Sequence, residues 1–130
     1  MMEEKRRYER VHFVEDIEII HANKRYRGVV TDISMKGVLI QLDEIPRGEV
    51  LTDTWLIRLP LSSEIQIVVQ AKPSHFDHVH HAVGFHFTEI DADSMAHLRR
   101  LLELNTGNAA EIERELEHMV EDMKREHRKT

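Results

Sequence analysis

The hydrophobic pattern changes period once along this chain of 130 residues, near residue 90. Before that point the apolar residues come in short, β-branched runs: VHFVEDIEII (11–20), RYRGVVTDIS (25–34), GVLIQL (37–42), TDTWLIRL (52–59), EIQIVVQA (64–71) and HHAVGFHF (80–87). Turn-forming or polar residues punctuate them at Asn23-Lys24, Met35-Lys36-Gly37, Asp43 to Gly48, Pro60 to Ser63 and Lys72 to Asp77. Runs of this length and spacing predict an all-β barrel or sandwich. Six strands in the 77 residues from Val11 to Phe87 favour a small barrel.

After Asp91 the apolar residues fall at Met95, Leu98, Leu101 and Leu102, which is helical spacing. Asp91 or Asp93 is the expected N-cap, and Asn105-Thr106-Gly107 the expected stop. Asn108 with Glu111 three positions later resembles a capping box that opens a second helix. Its stripe of Ile112, Leu116, Met119, Val120 and Met123 either packs on the barrel or binds a partner chain. Residues from Lys124 to Thr130 are all polar and are expected to fray. The organisation predicted is a basic head (1–10), a barrel with a closing helix (11–105) and an amphipathic helix with its tail (106–130).

Composition narrows the function. Lys plus Arg number 18 against 24 Asp plus Glu, a net charge of −6. Such a chain does not coat DNA, RNA or anionic lipid through a general cationic surface, so any phosphate it binds is held by a local cluster. Apolar residues make up 41% of the chain, enough for a core. There are no cysteines, which excludes disulfides, thiolate catalysis and Cys-ligated zinc. No apolar run approaches the roughly 18 residues of a membrane span, and no apolar signal segment precedes the strands. A cytoplasmic protein without membrane insertion is expected.

Two short motifs carry the chemistry. Four of the six residues from Lys5 to Arg10 are basic, and Arg6-Arg7-Tyr8-Glu9-Arg10 contains an R-x-x-x-R. A guanidinium is a planar fork of donors that grips phosphate and matches the O6/N7 edge of guanine. The second motif is D-x-S-x-x-G at Asp32, Ser34 and Gly37, at the end of a strand. Residues two apart share a strand face, so Asp32 and Ser34 are displayed together while Ile33 points to the core. Gly37 stands where the chain turns into the next strand, and glycine tolerates positive φ there. A carboxylate accepts two N–H donors at once, as a guanine edge offers. Together the motifs read as a site for a guanine nucleotide with exposed phosphates.

With these residues, the sequence resembles a PilZ domain, the bacterial receptor for cyclic di-GMP. R-x-x-x-R followed downstream by [D/N]-x-S-x-x-G is that family's signature, and here Arg10 and Asp32 lie 22 positions apart. The resemblance covers roughly residues 5 to 105. It implies a mainly β fold, a six-stranded antiparallel barrel with one or two C-terminal helices. It also implies that Arg6 and Arg10 hold phosphates and guanine Hoogsteen edges, that Asp32 and Ser34 hold a guanine edge or backbone, and that Gly37 shapes the turn. Arg7 is expected to add a phosphate or stacking contact. Lys5 falls where the family often has a basic residue when two stacked ligands bind. Some members also stack an aromatic on a guanine. The strand expected to supply it, through Val69-Gln70-Ala71-Lys72, has none, and Trp55 lies in another run.

The expected function is therefore a non-enzymatic receptor with no cofactor beyond its ligand. Its head arginines repel one another until cyclic di-GMP neutralises them, and the reordered surface then meets a downstream protein. The alternative is a PilZ-like interaction adaptor with weak or no nucleotide binding. His75, His78, His80 and His81, with His86 further along, form the other notable cluster. It reads as a polar hairpin and outward strand face, with no metal expected. No Gly-x-Ser-x-Gly elbow or paired acid motif supports catalysis.

Overall fold

A computed structural model describes residues 8, 10–44 and 53–128. Six strands form a closed barrel: β1 (Arg10–His21), β2 (Lys24–Ser34), β3 (Gly37–Leu42), β4 (Trp55–Pro60), β5 (Gln66–Asp77) and β6 (Ala82–Ile90). All pairings are antiparallel, in the order β1-β2-β3-β6-β5-β4. Two helices follow, α1 (Ala92–Thr106) and α2 (Ala109–Arg128).

Alternation fills the barrel. Ile17 and Ile19 of β1, Tyr26 and Val30 of β2, Val38, Ile40 and Leu42 of β3, and Val83, Phe85 and Phe87 of β6 are buried. Trp55 is fully buried, stacked on His21 at 4.9 Å and packed against Tyr26 and Phe85. The one tryptophan is therefore a core residue and has no face to offer a nucleotide.

The segment from Lys72 to Asp77, expected to be a turn, is strand. Pro73 sits at a register shift between β5 and β6, so its missing N–H costs the ladder little. The turn is instead His78 to His81, with His81 in left-handed backbone at φ 53°.

α1 closes the barrel with Leu98 and Leu102, both fully buried. Its N-cap is Asp91, whose carboxylate accepts the Ser94 N–H at 2.7 Å. The buried Ser94 hydroxyl accepts the N–H of Val68 at 2.9 Å, just beyond the last β5–β6 pair, Val69 with Ile90. One capped turn thus fastens the helix to β5 at the end of the barrel. Asp91→Ala is expected to cost about 1 kcal/mol and to lower the thermal midpoint by roughly 3–6 °C. Thermal denaturation followed by circular dichroism measures this.

Gly107 ends α1 in left-handed backbone at φ 69°, its N–H donating to Glu103. Only half of the capping box forms at α2. Asn108 Oδ1 accepts the Glu111 N–H at 3.2 Å, while the Asn108 N–H goes to Thr106 Oγ1 and Glu111 pairs with Arg114. α2 lays Ile112 and Met119 into the core, with Leu116 and Met123 packed against it. The surprise on this face is Glu115, which is 1% exposed. The polar stretch from Lys124, expected to fray, remains helical to Arg128.

Among the described residues no helix is long and apolar enough to cross a membrane.

Candidate functional site

The β1–β2 register brings the two motifs face to face. Arg10 lies opposite Ser34, and His12 lies opposite Asp32. The last arginine of R-x-x-x-R and the serine of D-x-S-x-x-G are therefore cross-strand neighbours. Arg10, counted in the head from sequence, begins β1 and is exposed. Lys5, Arg6 and Arg7 lie outside the described residues.

Asp32 owes its outward position to a bulge. Tyr26 and Val30 point inward, and strict alternation would send Asp32 inward too. Instead Val30 pairs with Ile40 and Asp32 with Leu39, leaving Thr31 as an extra residue in β2. The Thr31 hydroxyl bonds the Leu39 carbonyl and Asp32 Oδ2, each at 3.4 Å. The extra residue swaps the faces. Ile33 enters the core at 2% exposure, and the Asp32 side chain stays 30% exposed with His12 Nδ1 at 3.7 Å.

Ser34 is buried, and its hydroxyl works within the turn. Its oxygen accepts the N–H groups of Lys36 at 3.2 Å and Gly37 at 3.3 Å, and it donates to the Gly37 carbonyl at 3.4 Å. The β6 backbone steadies the same turn, since Phe87 N–H donates to the Lys36 carbonyl at 2.9 Å. Gly37 needs no positive φ, contrary to the sequence expectation. Gly107 holds the positive φ found among the described glycines. What forbids a side chain at Gly37 is proximity, because a Cβ there would stand 2.3 Å from the Phe85 carbonyl oxygen.

These residues line one cleft of about 480 Å³ on the outer face of β2, β3, β6 and β5. Arg10, Asp32, Ser34 and Gly37 meet there, joined by residues the sequence did not single out for this site: Tyr8, Lys36, Ser74, His75, Asp77 and His86. Gly37 and Gly84 leave its floor without side chains. The Lys36 ammonium lies over the Tyr8 ring at 5.4 Å, a cation–π contact. Tyr8, from within the head motif, thus brings an aromatic ring to this cleft. At the far rim, the His80 ring and backbone N–H bond Asp77, which holds that carboxyl below the usual carboxylate range. Its histidines aside, the described cleft sets Arg10 and Lys36 against Asp32 and Asp77.

Among the described residues no three His, Asp or Glu side chains converge as metal ligands, and His78 lies against Phe76. A larger cleft, about 620 Å³, lies across β4, β1 and β2. Its charged lining is mixed, Asp16, Glu18 and Asp43 with Arg27 and Arg58. It gathers none of the motif residues.

Known proteins agree with this architecture. The family model described as PilZ domain matches residues 4–104. The PilZ domain of YcgR from Escherichia coli, solved with c-di-GMP, superposes with a TM-score of 0.60 at 16% identity, covering 83% of this chain and 96% of that one. The PilZ domain of CeSA from a cellulose-synthesizing bacterium gives 0.57 at 16% identity, with 76% and 96% covered. The inhibitor of motility MotI/DgrA from Bacillus subtilis gives 0.57 at 24% identity over 77% of this chain, which spans about half (53%) of that protein. At these identities the structural likeness is one of fold.

Proposed function

We propose that this chain, which belongs to the PilZ domain family, is a non-catalytic receptor that binds cyclic di-GMP in the cleft lined by Tyr8, Arg10 and the outer face of β2, β3 and β6. The observation that carries this reading is the register of Arg10 with Ser34 and of His12 with Asp32. It sets a guanidinium and a carboxylate on one wall of a cleft large enough for much of a dinucleotide. Arg10 meets a phosphate or a guanine O6/N7 edge, and Asp32 accepts the N–H donors of a guanine. Ser34 acts chiefly by fixing the Lys36–Gly37 backbone.

Charge explains the role of the head. The described cleft balances two cations against two carboxylates, so a dianion needs further positive charge. Arg6 and Arg7 are placed in sequence to supply it, and the ligand then draws the head over the cleft. Ordering a segment on binding offsets part of the contact energy. The covered cleft and the ordered head together form the surface that a downstream protein reads, from a compartment expected to be the cytoplasm.

Hydrogen exchange with and without cyclic di-GMP tests the switch. Protection is expected to rise across residues 5–12 and 32–37. Unchanged exchange in both segments at saturating ligand overturns it. The adaptor reading, with its site vestigial, is favoured by no particular contact.

A further inference from the structure

The candidate cleft does not end at Lys36. Lys36 and His86 also line a second cleft of about 230 Å³, whose far wall is α2 through Met119, Asp122 and Arg125. The turn that carries D-x-S-x-x-G is therefore the partition between the nucleotide cleft and the C-terminal helix. Arg125 is 62% exposed at its side chain and is held by Asp122 one helical turn before it.

We propose that Arg125 is a ligand-contacting residue and that α2 is a wall of the binding site. The proposal rests on the reading of the cleft as a cyclic di-GMP site. A dianion in a cleft with balanced charges draws in every mobile cation within reach. Arg10 supplies a cation from the β1 side. Arg125 supplies one from the other, beside the lysine the two clefts share. Arg125 lines the same small cleft as Lys36, and the fork of a guanidinium suits phosphate. Asp122 is the competitor, a carboxylate that occupies Arg125 in the free protein and repels an incoming anion. Ligand binding breaks that pair and transfers Arg125 to the phosphate, so occupancy is linked to the position of α2.

This assignment makes two predictions of opposite sign. Arg125→Ala weakens cyclic di-GMP binding by about two- to fivefold, the range for a largely exposed charged contact, and Arg125→Lys restores part of the loss. Asp122→Asn tightens binding by about two- to fivefold, because it frees the guanidinium and removes a repelling charge. A merely structural role for the ion pair would give losses in both variants. Calorimetric titration of the full chain with cyclic di-GMP, with thermal midpoints recorded for each variant, reads all three. Wild-type binding that depends on Arg10 but is unchanged by both Arg125→Ala and Asp122→Asn overturns this proposal and leaves the cleft reading standing. Absence of wild-type binding overturns the cleft reading itself.

Discussion

Gly37→Ala will lower the thermal midpoint by roughly 10 °C, from a loss of about 3 kcal/mol by overpacking against rigid backbone. The added Cβ would stand 2.3 Å from the Phe85 carbonyl oxygen, and a backbone atom in mid-strand cannot swing aside as a side-chain tip can. Relief requires β3 to move away from β6 around the pair Gly37–His86. That motion also strains the bond from Phe87 N–H to the Lys36 carbonyl and the Ser34-centred turn. Nucleotide affinity should therefore fall even where the variant still folds. Gly107 provides the contrast. Its φ is +69° and nothing lies within 4 Å of a Cβ, so alanine there meets only the left-handed penalty, about 1 kcal/mol. Thermal melts of the two variants separate close approach from conformation as the demand on glycine. Equal midpoints would contradict the packing account.

Arg10→Ala should weaken cyclic di-GMP binding by tenfold or more, since a charge-assisted contact is worth about 1.5–3 kcal/mol. Arg10 lies opposite Ser34 and is exposed, so its removal leaves the barrel core untouched and the fold intact. Arg10→Lys should recover little, because an ammonium cannot copy the planar fork. Wild-type affinity should also fall with added salt, as expected for an anion held by partly exposed cations. Titration in low and moderate salt measures both effects. A variant that melts like wild type and binds equally well would remove Arg10 from the site.

Much of the architecture is legible in the residues. Six β-branched runs became six strands, and the change of period near residue 90 marked α1. Asp91 and Gly107 bound that helix as capping chemistry requires. Ile33 pointing inward with Asp32 outward followed from period two read locally. What stayed hidden depends on partners. The Thr31 bulge reverses the alternation set by Tyr26 and Val30, and it exists only relative to β3. Pro73 reads as a strand breaker until a register shift accommodates it. Gly37 reads as a turn residue, whereas its constraint is a carbonyl on β6. Lys36, His75 and His86 enter the cleft because barrel closure sets β3 between β2 and β6, with β5 beyond. Tyr8 was visible inside the head motif, and its position between two basic residues and Glu9 masked it as part of a charged segment.

The same dependence on partners explains α2. An amphipathic stripe identifies the buried face, but not Glu115 within it, and not that the helix runs beside the Lys36 turn. Sequence placed the helix, and packing gave it a neighbour at the site.

The central claim is that a guanine dinucleotide occupies the cleft where the two motifs meet. Calorimetric titration of the full chain with cyclic di-GMP, alongside GTP and cyclic di-AMP, tests it most directly. Saturable heat with cyclic di-GMP alone, lost in Arg10→Ala, is the predicted result. No heat with cyclic di-GMP at high protein concentration, or equal binding of all three nucleotides, would contradict it.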